Sequence, residues 1–194
     1  MYGRRTVIKD LSFRAESGEL WAVLGPNGSG KSTLLRLLAG LLRPTAGESV
    51  LTTDGRAMRG PERRRALGLV SPEISPYEEL TGLENLEFAA RMRGLEHGRA
   101  ALLEQLERVG LTEAADKAVR SYSSGMRHRL RLALAVQHRP ALLLLDEPTA
   151  MLDEDGRGRV HEVVRAHRQH GMVFWATNDP AELPADIREV RLSG

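Results

Sequence analysis

Residues 25–33 read Gly25-Pro26-Asn27-Gly28-Ser29-Gly30-Lys31-Ser32-Thr33, directly after the apolar run Leu20-Trp21-Ala22-Val23-Leu24. A strand-like run, a glycine-rich turn, a lysine–hydroxyl pair and a helix start follow one another, which is the pattern of a phosphate-binding loop. The glycines permit a turn tight enough for successive N–H groups to point at phosphate oxygens. A helix beginning near Lys31 brings the positive end of its dipole to the same place. Lys31 supplies a point charge for β- and γ-phosphates, and Ser32 offers a hydroxyl to Mg²⁺. Glycine-rich turns also join strands to helices where no ligand binds, but here every fixed position is filled in the required context. The stretch predicts a nucleoside triphosphate site.

Composition narrows what surrounds it. At 194 residues the chain has room for about one domain. Apolar residues make up 41% and charged ones 28%, the balance of a globular protein in water. The most apolar stretch, Leu34 to Leu42, carries Arg36 and falls short of the ~20 residues that cross a bilayer. The start, Met-Tyr-Gly-Arg-Arg, lacks an apolar segment, so no secretion is expected. Without cysteine there is no disulfide framework and no thiolate metal site. The net charge of +2 is small, and Arg63-Arg64-Arg65 reads as one exposed helical face rather than a nucleic-acid stripe.

A second stretch adds carboxylates. Ala141-Leu142-Leu143-Leu144-Leu145 is too apolar for a surface strand and has the length of a buried parallel one. It runs into Asp146-Glu147-Pro148, at the carboxyl end of a strand, where ligands sit in open α/β sheets. Asp146 is placed to hold Mg²⁺ through its water shell, and Glu147 to act as general base on the attacking water. A solvated acidic turn after a core strand is the plainer reading. Downstream of a phosphate-binding loop, the catalytic reading prevails.

The third stretch, Tyr122-Ser123-Ser124-Gly125-Met126-Arg127-His128-Arg129, precedes a helical pattern with Leu130, Ala133 and Leu134. It resembles the signature sequence of ABC-type ATPases, Leu-Ser-Gly-Gly followed by Gln or Met. Physically it is a hydroxyl and backbone amides at a helix N-terminus, again suited to phosphate. Ser123 also reads as an ordinary N-cap, and the two roles are compatible.

The resemblance extends over nearly the whole chain. It implies that Ser123, Ser124, Gly125 and Met126 act in trans, against ATP held by a second copy, and that Asp153 belongs to the loop communicating across that dimer. It places Asn178, after the strand Met172-Val173-Phe174-Trp175, at the switch position beside the γ-phosphate. Tyr2 falls where an aromatic ring stacks on adenine, and Glu73 falls in the loop whose side chain reaches Mg²⁺. Thr81-Gly82-Leu83-Glu84 is a capping box opening a helix that Gly94 ends. A second helix, with Leu102, Leu103, Leu106 and Val109 on one face, ends at Gly110.

Three positions depart from the family pattern. Glu73 stands for glutamine and brings a full negative charge toward the triphosphate. Asn178 stands for histidine and never carries a positive charge. Ser124 replaces a glycine and crowds a nucleotide arriving from the partner copy. All three bear on turnover. At the ends, little precedes Tyr2, so either the antiparallel edge is a strand short or the adenine contact is held less rigidly. After the expected final strand Ile187–Leu192 no C-terminal regulatory domain is expected.

The expected architecture is an α/β P-loop ATPase in a single domain, residues 1–194. Its core lobe spans 1–72 and 138–194, with a mostly parallel sheet flanked by helices. A small N-terminal antiparallel sheet is expected from Val7–Phe13 and Glu19–Val23, and a helical lobe from 73–137. The resemblance implies an ATP-hydrolysing subunit of a transporter, cytoplasmic and peripheral on the inner face of the cell membrane. Its implied partners are separate transmembrane permease subunits and a second ATPase subunit, with ATP and Mg²⁺ as cofactors. Two alternatives stand beside it. One is a soluble ABC protein acting on nucleic acid or ribosomes; the absence of heptads and of a second ATPase domain weighs against it, and no nucleic acid partner is expected. The other is a nucleotide-binding partner that barely hydrolyses ATP. Residues 39–47 and 71–86 are similar to simple exporter subunits, among them the haem-exporter type of cytochrome c maturation.

Overall fold

The computed structural model describes residues 6–193. Its centre is a five-stranded sheet in which every strand pair is parallel. In chain order these strands are β1 (Leu20–Leu24), β4 (Leu67–Val70), β5 (Leu142–Asp146), β6 (Met172–Thr177) and β7 (Arg188–Arg191), lying side by side as β4-β5-β6-β1-β7. β1 and β5 are buried at every position, because a parallel sheet covered on both faces demands apolar residues at both parities. Successive side chains alternate between the two faces. Leu20, Leu143, Leu145, Val173 and Trp175 join one apolar cluster, and Trp21, Val23, Leu142, Leu144 and Phe174 join the other.

Helices cover these faces. α1 (Lys31–Leu38) packs Leu34 and Leu35 into the second cluster. The first cluster takes in α3 (Gly82–Met92), α4 (Arg99–Arg108), α5 (Ser124–Val136) and α6 (Glu154–His167) through Leu86, Leu106, Leu130 and Val160. The helical segment therefore shares its core with the sheet. Its first helix carries the capping box read from sequence, with Thr81 Oγ1 accepting from Glu84 N at 3.1 Å and Glu84 Oε2 accepting from Thr81 N at 2.8 Å.

Two expectations are corrected. The small antiparallel sheet is made by β2 (Leu51–Thr53) and β3 (Arg56–Met58) around the Asp54-Gly55 turn, and not by the N-terminal segments. Leu20–Leu24 instead pairs parallel with β6 and β7. Residues 7–13 form no strand; Asp10, at φ 52, breaks the extension, while Ile8, Leu11 and Phe13 pack against the second cluster. The arginine run lies on α2 (Gly60–Arg65), yet Arg63 is not simply solvated. Its guanidinium donates to Ser49 O and Leu38 O, each at 2.6 Å, tying this helix to the end of α1.

Tight packing predicts how glycine substitutions behave. A Cβ on Gly68 of β4 would strike the Ala135 carbonyl oxygen of α5 and approach Pro140 Cγ to 2.9 Å, whereas one on Gly158 of α6 meets nothing within 4 Å. Gly68→Ala should lower stability to urea by about 1–3 kcal/mol, as overpacking does. Gly158→Ala should raise it by about 0.5–1 kcal/mol, as the better helix former. Equal effects in the two variants would contradict this packing.

Histidines set a second expectation. Burial pulls the His138 and His167 imidazoles down to about 4, with the Arg93 cation adding to the first and the His170 and His138 rings to the second. In the unfolded chain both titrate near 6.5. Stability from them is complete above about 6.5 and falls as the pH drops toward about 4, because only the unfolded chain takes up the protons. The urea midpoint should decrease between these values, and His167→Gln should flatten the slope. A wild-type midpoint independent of pH over this window would contradict buried neutral imidazoles.

Candidate functional site

The carboxyl ends of the central strands meet in one cleft. The loop after β1 leads into α1, β5 ends in Asp146, and β6, lying between them, ends in Thr177. The cleft holds about 900 Å³ and is lined by the loop residues Asn27–Thr33, Asp146 and Glu147, with residues 6–11 on another wall. Sequence reading did not place residues 6–11 there.

The loop is folded as the sequence requires. Gly30 sits at φ 103 as the N-cap of α1, and a Cβ on it would press to 2.7 Å from Val7 Cγ1. A Cβ on Gly25 would lie 2.5 Å from Ser29 Oγ and 2.6 Å from Leu192 O, the strand end alongside. Ser29 N donates to Pro26 O at 3.1 Å, closing the turn. Ser29 Oγ is buried and has no hydrogen-bond partner among the described residues, a polar atom left over inside the cradle.

Lys31 is 6% exposed, so its ammonium must be paired. Nζ donates to Gly25 O at 2.8 Å and to Pro26 O at 3.4 Å, and lies 3.5 Å from Glu147 Oε1. Glu147 itself is held at φ 51, a backbone state uncommon for a residue with a side chain and concentrated at functional sites. Its N–H donates to Ala176 O at 2.9 Å, and its carbonyl accepts from Ala150 N at 3.1 Å. Burial pushes the Glu147 carboxyl above the usual range; the Lys31 cation opposes this, and the Asp146 and Glu182 charges reinforce it. A carboxylate with a raised pKa is a better proton acceptor near neutrality.

The donor set facing the cleft is the Ser32 hydroxyl and the Asp146 carboxylate, both hard oxygen ligands. No group of three or more His, Cys, Asp or Glu is arranged to hold a metal among the described residues. That fits Mg²⁺, which binds through one or two protein oxygens, water and substrate phosphates rather than in a protein cage.

Other sequence-derived candidates lie elsewhere. Glu73 is not on the cleft wall; its carboxylate is taken by the Arg36 guanidinium of α1, which offsets the charge expected to repel triphosphate. Asn178 is exposed and its side chain makes no hydrogen bond among the described residues. Its neighbour Thr177, which sequence reading passed over, is fully buried, with Oγ1 3.4 Å from Glu147 Oε2. Ser123 caps α5, accepting from Met126 N at 3.2 Å, and with Ser124 it is exposed and away from the cleft. Gly125 lies against Leu152 and Met151, and Asp153 caps α6 through Gly156 N at 2.9 Å. Tyr2 lies outside the described residues.

Comparisons with known proteins agree with one another. A family model described as ABC transporter matches residues 8–150. The chain is similar to the linearmycin resistance ATP-binding protein LnrL of Bacillus subtilis, 40% identical over 91% of this chain and 58% of LnrL. It thus spans under two thirds of that relative. The lantibiotic transport ATP-binding protein SrtF of Streptococcus pyogenes is 32% identical over 89% of this chain and 73% of its own length. Among solved structures, the ATP-binding cassette MJ0796, a dimer in a post-hydrolysis state with ADP and Pi, superposes with TM-score 0.83. That match is 26% identical and covers 96% of this chain and 86% of the other.

The pairing of Lys31 predicts the outcome of removing it. Lys31→Ala should weaken Mg²⁺-nucleotide binding by about 10- to 100-fold, the cost of one charge-assisted hydrogen bond of roughly 1.5–3 kcal/mol. Calorimetric titration measures it. Unchanged affinity would remove Lys31 from the site.

Proposed function

The chain belongs to the ABC transporter family, and on that footing we propose that it is an ATP-hydrolysing subunit energising membrane-embedded partners by nucleotide-driven pairing of two copies. The observation that carries this reading is the convergence of Lys31, Asp146 and Glu147 on one cleft, with Glu147 in a special backbone state and its pKa raised. The loop amides and the start of α1 cradle the phosphates, and Lys31 moves from Glu147 and the loop carbonyls onto them. Ser32 and Asp146 would hold a Mg²⁺ ion, which would supply charge neutralisation for the bound phosphates. Glu147 takes a proton from the attacking water.

The exposed N-terminus of the signature helix at Ser123 and Ser124, set apart from the cleft of its own chain, supports a site completed by a second copy, as does the dimeric form of MJ0796. No helix among the described residues is long and apolar enough to cross a membrane. Transport through separate permease subunits at the inner membrane face accounts for that. The names of LnrL and SrtF, resistance and lantibiotic transport, support an exporter and carry the reading further than the likeness to haem-exporter-type subunits.

Glu147→Gln should keep ATP binding and lose about 10²–10⁴ in hydrolysis rate, the usual contribution of one acid–base group. Turnover of the wild-type chain should rise more than linearly with concentration. Mixing Lys31→Ala with Ser123→Arg chains should return activity above either alone, because one composite site then carries neither change. Parent-level hydrolysis by Glu147→Gln would overturn the base assignment, and full activity of a dilute monomer would overturn the paired site.

A further inference from the structure

Sheet register decides which residue of the loop after β6 reaches the general base. β6 lies between β1 and β5, with Leu24 opposite Thr177 on one side and Asp146 opposite Ala176 on the other. Thr177 is therefore flanked by the residue that opens the phosphate loop and by the Asp146-Glu147 turn. It is 0% exposed, and its Oγ1 lies 3.4 Å from Glu147 Oε2 and 3.0 Å from Glu182 Oε2. The same oxygen accepts from Asp179 N at 3.1 Å, which fixes the hydroxyl against rotation out of the site. Asn178 turns to solvent.

We propose that in this chain Thr177 positions Glu147 in competition with Glu182, so that the contact from this loop to the general base is made one residue before the switch position. The proposal rests on the ATPase reading above. The geometry gives each Glu147 oxygen its own partner: Oε1 faces Lys31 Nζ at 3.5 Å and Oε2 faces Thr177. When Lys31 turns to a triphosphate, Oε1 is released toward water while Oε2 stays anchored. Thr177 has one hydroxyl proton and two carboxylate acceptors, so Glu182 competes for it and contributes a negative charge beside Glu147. The charged groups facing Glu147 are then Lys31 from α1, Asp146 from β5 and Glu182 from the turn after β6. Thr177 is a positioning residue and Glu182 tunes it; neither is required to touch the nucleotide.

Two variants with opposite consequences test this. Thr177→Val removes the anchor and should lower kcat about tenfold with KM within about twofold, the pattern of an interaction that matters in the transition state. Thr177→Ser should restore kcat. Glu182→Gln keeps the shape and replaces the charged rival for the Thr177 hydroxyl with a neutral one, so it should raise kcat about twofold with KM unchanged. Opposite changes of kcat in the two variants support the proposal, since general loosening of the site lowers both. A lowered kcat in both, or wild-type kcat in Thr177→Val, overturns it. If the wild-type chain lacks turnover, the ATPase reading fails, and a crystal structure of Thr177→Val then decides the contact: a displaced Glu147 carboxylate upholds it and an unmoved one overturns it.

Discussion

One buried ammonium organises this structure. Lys31 is enclosed at the start of α1 and satisfied by the carbonyls of the loop that precedes it and by Glu147. A charge so placed must keep its partners, because removing one leaves an uncompensated ion. In this state Lys31 closes the loop onto itself and pairs with Glu147, the base proposed above. A triphosphate is the chemical species that can take over all of these contacts at once, since it brings the negative charge that Lys31 would otherwise find only in Glu147. On the function proposed above, nucleotide binding and release of the base are the same exchange, made at a single nitrogen.

The sheet makes that exchange possible. Parallel strands bring the carboxyl ends of β1, β5 and β6 to one edge, and their register sets Leu24, Thr177, Ala176 and Asp146 in adjoining positions. Apolar residues on both faces of β1 and β5 fix that register, because a slip by one residue would exchange the two faces of each strand. The two core clusters therefore act on chemistry at a distance. They hold rigid the end of β5, which carries Asp146 and Glu147, and the end of β1, from which the loop leads to Lys31.

Much of this was legible in the sequence, and the reasons separate cleanly. The phosphate loop, the apolar run into Asp146-Glu147 and the capping box at Thr81 are local codes: their geometry follows from residues within a few positions of one another. Strand pairing is not local. Residues 7–13 have strand-like apolar content, yet Asp10 breaks the extension and Ile8, Leu11 and Phe13 cover a sheet face, while β1 finds parallel partners more than a hundred residues away. Arg63 likewise looks like one of three solvated arginines until the carbonyls of Ser49 and Leu38 converge on it. At the site, the resemblance places Glu73 in the loop whose side chain reaches Mg²⁺, while its pairing with Arg36, 37 residues earlier, is visible only in the fold. Thr177 escaped notice because nothing in a Thr-Asn-Asp tripeptide says which side chain turns inward; the pairing of β6 with both neighbours decides it.

The most direct measurement is a crystal structure of the chain with Mg²⁺ and a non-hydrolysable ATP analogue. Lys31 Nζ should leave Gly25 O and Glu147 for the phosphate oxygens, while Glu147 keeps its place beside Thr177. A bound nucleotide with Lys31 still seated on Gly25 O and Glu147 would contradict the exchange on which the site is built.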